Sequence, residues 1–248
     1  MIRAESLSKH YGAIRAVDGI SFAIEPGEIV GLLGPNGAGK TTTMRMCAGY
    51  LAPTSGSVQV HGFDLLTDTI AARKTFGYLP EGAPLWGEMT PRAFLDFIAD
   101  VRELKGERRA QRIGEVTGLL QLESVLDQRI ETLSKGFRRR VGLAQAILHD
   151  PPVLLLDEPT DGLDPNQKHE VRELIRGMSS DKIVVISTHI LEEVEAVCSR
   201  AIIIAAGRIV ADDSPAALAA QSETNRLDRV FRRITTGQSR AGADRDQP

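Results

Sequence analysis

The segment Gly34-Pro35-Asn36-Gly37-Ala38-Gly39-Lys40-Thr41 fits the pattern GxxxxGK[ST], and phosphate binding is the chemistry such a run performs. Its glycines let successive backbone N–H groups turn into one concavity, to which a helix start adds the positive end of its dipole. In that arrangement Lys40 reaches the β- and γ-phosphates of a nucleotide, and Thr41 offers its hydroxyl to Mg2+. The pattern demands a strand before it and a helix after it. The apolar run Ile29–Leu33 and the helical pattern Thr42–Tyr50 supply both, which a surface turn with an incidental lysine would not.

A phosphate cradle hydrolyses nothing unaided; a metal-holding carboxylate and a group that orients water must stand at the end of another buried strand. Val153-Leu154-Leu155-Leu156-Asp157-Glu158 provides the pair. Neighbouring residues at a strand end point to opposite sides, so Asp157 faces the Mg2+ shell while Glu158 addresses an attacking water. A solvated acidic pair is the competing reading, and four preceding apolar residues argue against it. Ile183-Val184-Val185-Ile186-Ser187-Thr188-His189 repeats the design and delivers a histidine to the same rim. Taken alone, His189 would read as a satisfied structural residue.

These groups need a scaffold, and the composition supports one. The chain has 248 residues, 42% of them hydrophobic, with 30 Lys and Arg against 33 Asp and Glu for a net charge of -3. That is one large domain or a core with a subdomain, without the basic excess of a dedicated nucleic-acid binder. The two cysteines, Cys47 and Cys198, are too few for a disulfide scaffold or a metal site and read as buried apolar residues of a reducing compartment. The N-terminus carries no apolar stretch of a secretory signal. The longest apolar runs, such as Ala201–Ala206, are strand-sized, far short of the ~20 residues of a membrane span, so any membrane role comes through a partner.

The runs Ile29–Leu33, Val153–Leu156, Ile183–Ser187 and Ala201–Ala205 are nearly continuous, as in parallel strands buried on both faces between helices. Ile2–Ile24 alternates and reads as an antiparallel edge. From Thr90 to His149 the pattern is helical, with Thr90 as N-cap, Pro91 at the first helical position, and Phe94, Leu95, Phe97, Ile98, Val101 and Leu104 at helix-face spacing. The charges of Arg102–Glu115 mark a solvated or partner-facing helix end. The expected fold is α/β: a P-loop NTPase core, mainly parallel sheet flanked by helices, over residues 1–83 and 149–220. It carries an N-terminal antiparallel β subdomain and an inserted α-helical subdomain, residues 84–148. Residues 221–248 read as a polar, partly disordered tail, with Leu227, Val230 and Phe231 forming at most one docked helical turn.

Upstream of Asp157 lies Leu133-Ser134-Lys135-Gly136-Phe137, which opens the apolar-periodic helix Val141–Leu148. With the three strand-end elements it resembles the nucleotide-binding subunits of ATP-binding cassette (ABC) transporters over roughly residues 2–220. The order agrees throughout: a Walker A loop at Gly34–Thr41, the signature at Leu133–Phe137, a Walker B strand at Val153–Asp157 with Glu158, a D-loop at Asp161-Gly162-Leu163-Asp164, and a switch histidine at His189. The resemblance implies ATP and Mg2+ as ligands. Lys40, Glu158 and His189 then act in hydrolysis, His189 by steadying the γ-phosphate, and Thr41, Asp157 and Glu81 take the metal. Tyr11 stacks on adenine, and the phosphates are held by Gly34, Pro35, Asn36, Gly37, Ala38, Gly39, Lys40, Thr41 and Thr42. Ser134, Lys135, Gly136 and Asp164 contact the nucleotide of a second copy, because the family pairs its cassettes head to tail. A homodimer follows, since one chain with one of each motif cannot complete its own site.

Two motifs depart from the family pattern. Lys135 and Phe137 replace the middle glycine and the glutamine of LSGGQ, while Ser134 and Gly136 remain. Glu81, in Gly77-Tyr78-Leu79-Pro80-Glu81, stands where most relatives place the Q-loop glutamine and adds negative charge beside Asp157 and Glu158, with slower or pH-sensitive hydrolysis as the expected consequence. The stretch GYLPEGAPLWGEMT, with LSKGF and DEPTDGLDPNQ, is most similar to the ATPase subunits of type-2 ABC exporters. That implies integral membrane permease subunits as partners, no nucleic acid, and a peripheral place on the cytoplasmic face of the cell membrane. Leu85, Trp86 and Met89 would receive the permease's coupling helix, with subdomain packing the alternative for Trp86. Competing functions are a soluble ABC ATPase without a membrane partner, a non-hydrolysing regulatory cassette, and a P-loop GTPase or small-molecule kinase. The last lacks an NKxD-type base-reading segment and leaves the signature without a purpose.

Overall fold

The continuous apolar runs form the central sheet because period-two alternation sends their side chains into two different cores. The computed structural model describes the backbone of residues 1–178 and 181–243, and the side chains of those residues up to 236. Strands β1 (Ile2–Tyr11) and β2 (Ile14–Ile24) form a hairpin and lead into β3 (Ile29–Leu33), the Gly-rich loop and α1 (Lys40–Cys47). Next come β4 (Ser55–Val60), β5 (Phe63–Asp64), α2 (Thr69–Lys74) and β6 (Phe76–Leu79). The helices α3 (Pro91–Val101), α4 (Gly106–Leu119) and α5 (Lys135–Ile147) follow. The second half runs β7 (Val153–Asp157), α6 (Pro165–Met178), β8 (Ile183–Thr188), α7 (Leu191–Val197), β9 (Arg200–Ala205), β10 (Arg208–Asp213), α8 (Pro215–Ala219) and α9 (Leu227–Ala243).

Two sheets result. The larger has the order β10-β9-β3-β8-β7-β6 and is parallel throughout except for the antiparallel β9–β10 pair. The smaller, β2-β1-β4-β5, is antiparallel. On one face of the larger sheet Leu33, Leu154, Leu156, Val184 and Ile186 pack against the helices that include α3, α5 and α7. On the other, Val30, Leu32, Val153, Leu155 and Val185 meet α1 and the small sheet. Cys47 and Cys198 are both buried and unpaired.

Thr90 caps α3, its hydroxyl accepting the Ala93 N–H at 3.2 Å with Pro91 behind it. The buried stripe of α3 runs through Pro91, Phe94, Leu95 and Ala99, which leaves Phe97 and Val101 on its flank at 40% and 59% exposure. Only part of the apolar spacing therefore marks core. The helical insertion joins the sheet at a seam of backbone on backbone. A Cβ on Gly77 of β6 would lie 1.9 Å from the Ala146 carbonyl oxygen of α5, so only glycine fits.

Past Gln221 the structure departs from the expected tail. Residues Leu227–Ala243 form α9, docked by buried Leu227 and Val230 with Phe231 and Ile234 half-buried beside them. An i, i+3, i+4, i+7 apolar stripe explains it: four apolar residues at helical spacing suffice where a packed surface receives them, despite the polar composition around them. The final part of the expected tail, residues 244–248, lies outside the described residues. Among the described residues no helix is long and apolar enough to cross a membrane.

Candidate functional site

Because β3, β8, β7 and β6 are parallel neighbours, their carboxyl ends open onto one rim, where open α/β sheets place ligands. The Gly-rich loop leaves β3, Asp157 ends β7, His189 follows β8 and Glu81 follows β6. Gly37 and Gly39 adopt left-handed φ values of 78° and 110°, and a Cβ on Gly39 would come within 2.5 Å of the Ala16 carbonyl. A Cβ on Gly34 would come within 2.2 Å of the Ile204 carbonyl. The loop is thus shaped by positions that admit no side chain. It bounds a cleft of about 430 Å³ lined by Ala16, Asn36–Thr42, Glu81 and Glu158.

Inside the cleft Lys40 is folded back, its ammonium donating to the carbonyls of Gly34 at 2.7 Å and Pro35 at 3.1 Å. Burial pulls its pKa below the usual lysine range, opposed by the carboxylates of Glu158, Asp157 and Glu81. Asp157 is fully buried. One carboxylate oxygen accepts the Ser187 hydroxyl, and the other, Oδ2, is buried without a partner. Burial raises the pKa of Asp157; the Ser187 hydrogen bond opposes the rise and Glu158 adds to it. A buried, unpaired carboxylate oxygen is costly, and a cation beside Lys40 and Thr41 would satisfy it. Among the described residues no three His, Cys, Asp or Glu side chains cluster as a resident metal would need. The donor set fits Mg2+, which binds through one or two carboxylates and substrate phosphates.

Glu158 has φ +51°, left-handed despite its side chain. Its N–H donates to the Ser187 carbonyl at 2.9 Å. Its Oε1 lies 2.7 Å from Nδ1 of His189, so the two residues meet across adjacent strand ends. The sequence placed each at the rim without showing this contact. Glu81 is exposed and lines the same cleft as Glu158. Tyr11 is 49% exposed at the end of β1, with the Lys9 ammonium 5.5 Å from its ring centroid, and it is not among the residues lining the cleft.

The signature residues lie apart from this cleft, at the start of α5. Ser134 caps α5, its hydroxyl accepting the Phe137 N–H at 3.2 Å. A Cβ on Gly136 would stand 2.8 Å from Oε1 of Gln167. Lys135 reaches the D-loop, its ammonium 2.9 Å from a carboxylate oxygen of Asp161, whose pKa it holds below the usual carboxylate range. Asp164 caps α6 by accepting the Gln167 N–H at 2.9 Å. None of Ser134, Lys135, Gly136 and Asp164 lines the cleft around Lys40. A second, apolar groove of about 390 Å³ lies between Tyr50, Pro84, Leu85, Trp86 and Ile98. Trp86 there is 54% exposed, and its ring meets those of Phe97 and Phe94 edge-on at 4.8 and 5.9 Å.

A residue beneath the site that the sequence reading did not single out is a buried glutamate. Glu193 on α7 is 5% exposed and accepts hydroxyls from Thr160 and, at 2.8 Å, Thr188. It thereby ties the loop after Glu158 to Thr188, the last residue of β8 before His189. The signal was a glutamate four residues past His189, beside Val194 and Val197 on the buried face of α7.

Comparison with known proteins agrees with this geometry. A family model for ABC transporters matches residues 17–161. The uncharacterized ABC transporter ATP-binding protein YxlF of Bacillus subtilis (strain 168) is 39% identical over 91% of this chain and 75% of its own length. The Nod factor export ATP-binding protein I of Paraburkholderia xenovorans (strain LB400) is 38% identical over 88% of this chain and 72% of its own. The probable multidrug ABC transporter ATP-binding protein YbhF of Escherichia coli (strain K12) is also 38% identical, but the chain spans only 38% of its length. The solved ATP binding subunit of an ABC transporter superposes with a TM-score of 0.88 at 29% identity, covering 95% of this chain and 99% of that one. The dimeric cassette MJ0796 gives 0.80 at 25% identity, covering 86% and 98%. Motif order, strand-end geometry and these likenesses converge: the chain belongs to the ABC transporter family, as one of its ATP-hydrolysing cassettes.

Proposed function

We propose that this chain is the ATPase subunit of a membrane exporter, working as a head-to-tail pair of copies seated on integral permease subunits at the cytoplasmic face of the membrane. One observation carries the reading. Lys40, the unpartnered oxygen of Asp157 and the Glu158–His189 pair meet at one rim, while Ser134 and Gly136, at the start of α5, are not among the residues lining the cleft around Lys40. Such a chain holds two incomplete half-sites, and a second copy supplies what each lacks.

Within one half-site the loop Gly34–Thr42 wraps the phosphates, gripping them through the N–H groups of its residues other than Pro35, and Lys40 exchanges its two carbonyl partners for phosphate oxygens. Thr41 and Asp157, with Glu81, would hold Mg2+, which when bound neutralises charge on the triphosphate. Glu158 accepts the hydrogen of the attacking water, steadied by His189, which also holds the γ-phosphate. Tyr11 offers its exposed ring to adenine. Across the dimer Ser134, the Gly136 amide, Lys135 and Asp164 close over the partner's nucleotide, so ATP joins the copies and hydrolysis parts them. Residues 1–83 and 149–220 form the nucleotide-binding unit and residues 84–148 the unit that meets the permease, whose helix the groove beside Leu85, Trp86 and Met89 receives. Export is supported by relatives described as Nod factor export, multidrug and linearmycin resistance ATP-binding proteins.

The test is Glu158→Gln. That variant retains ATP, stalls hydrolysis and accumulates a dimer in size-exclusion chromatography only when ATP is present; full turnover would remove Glu158 from its role. Co-purification of a tagged chain with ribosomes rather than with a helical membrane subunit would favour a soluble ATPase instead.

A further inference from the structure

We infer that Arg139 is a positioning residue through which the signature helix sets the orientation of Glu158; the inference rests on the proposed role of Glu158. Arg139 lies on α5, the helix that Ser134 caps, and is only 5% exposed. All its hydrogen-bond partners are main-chain carbonyls. Nε donates to Pro159 at 3.4 Å, Nη1 to Pro80 at 3.0 Å, and Nη2 to both Asp157 and Glu158. A buried guanidinium normally meets a carboxylate, and four acids stand near enough to favour its charge: Asp161, Asp157, Glu158 and Glu81. Its hydrogens nevertheless go to the backbone that carries those acids.

The consequence is geometric. Three consecutive carbonyls, those of Asp157, Glu158 and Pro159, can converge on one planar fork only if the chain reverses between them. The reversal occurs at Glu158, whose φ of +51° is unfavourable for any residue with a Cβ. Such a conformation persists only where its surroundings over-determine it. Here those surroundings are the Ser187 carbonyl on the Glu158 N–H and, on its carbonyl, the Asp161 N–H at 3.1 Å together with the Arg139 fork, which alone joins that carbonyl to those of Asp157, Pro159 and Pro80. With the backbone so fixed, the Glu158 side chain is left to face His189 and the cleft. The fourth bond, to Pro80, fixes the residue before Glu81, so one side chain holds the roots of both carboxylates that line the cleft. Because Arg139 and Ser134 share α5, a shift of that helix when the signature engages a partner's nucleotide moves these carbonyls as well. Arg139 thus links the half-site a chain lends to its partner with the hydrolytic group it keeps for itself.

The experiment compares Arg139→Gln and Arg139→Lys in the full chain, each alone and combined with Glu158→Gln. Readouts are thermal melting, binding of a fluorescent ATP analogue, and kcat and KM for ATP. In Arg139→Gln we expect nucleotide affinity and KM to stay within about threefold while kcat falls about 100-fold, the cost of ~1 Å misplacement of a reacting group. Arg139→Lys restores less than about a tenth of the lost rate, because one ammonium cannot span three carbonyls. In the Glu158→Gln background Arg139→Gln lowers residual hydrolysis by no more than about twofold, the non-additivity of residues acting through one another. Wild-type kcat in Arg139→Gln, a parallel loss of ATP binding in a folded variant, or a full further loss in the double variant would each overturn the inference. If Arg139→Gln does not fold, Arg139→Lys carries the same readouts, and wild-type kcat there overturns it equally. Full activity of Glu158→Gln by itself would instead bring down the role assigned to Glu158, a result separable from every Arg139 outcome obtained while that variant is stalled.

Discussion

Acid should destabilise this protein through one buried imidazole. His149 sits in the turn between α5 and β7, and its Nε2 lies 3.2 Å from the Phe76 carbonyl, so Nε2 carries the hydrogen and Nδ1 is left buried without a partner. Burial, with the guanidinium groups of Arg102 and Arg112 nearby, pushes its pKa from the ordinary 6.5 down to about 3, against smaller opposing effects of the Phe76 carbonyl and Asp150. The folded state therefore binds fewer protons than the unfolded chain at any pH between these values. Stability is independent of this group above about pH 7 and falls as pH drops through 6.5, by about 1.4 kcal/mol per unit. At pH 5.0 the loss comes to about 2 kcal/mol. Urea unfolding followed by circular dichroism at pH 7.0 and 5.0, on wild type and on His149→Gln, measures it. The glutamine keeps a donor for the Phe76 carbonyl and cannot titrate, so the wild type should lose about 2 kcal/mol more than the variant over that interval. Equal losses in the two proteins would refute the assignment, because every carboxylate that also titrates there is common to both.

Lys40→Ala should abolish nucleotide binding or turnover, checked with a fluorescent ATP analogue and phosphate release; near-normal turnover would contradict its place among the phosphates. Glu81→Gln removes one negative charge from a cleft that already holds Glu158 beside Asp157 and keeps a side-chain oxygen for the metal, so its steady-state ATPase rate should rise; an unchanged or lower rate would contradict the expectation that the extra charge slows hydrolysis. Gly77→Ala forces a Cβ to 1.9 Å from the Ala146 carbonyl, so the seam between β6 and α5 must open at a cost of about 3 kcal/mol, seen as a lowered unfolding midpoint.

What was legible in the sequence is what one element and its flanks determine. The strand before the Gly-rich loop, the acids after Leu156 and the Thr90 cap all follow from spacing within a few residues, and the structure places them as that spacing implies. The docking of α9 was half legible: Leu227, Val230 and Phe231 stood out, but polar composition concealed how far the helix runs. Tyr11 shows the converse, since its position in the motif order says nothing of where the ring of a half-exposed residue at a hairpin end points.

The residues that escaped are those whose partners are far along the chain. Arg139 meets Pro80 across 59 positions, and Glu193 meets Thr160 across 33; no local pattern encodes either contact. Both belong to one arrangement all the same. At a rim where parallel strands end, the backbone beneath the strand-end side chains is left with carbonyls and hydroxyls facing inward. Something buried must satisfy those groups. A guanidinium does so under Glu158, and a carboxylate does so between Thr160 and Thr188. Charged residues on the buried faces of α5 and α7 are therefore the sequence's trace of this support. A charge where periodicity calls for an apolar side chain, close in sequence to a residue of the site, points to the main chain that holds that site in place.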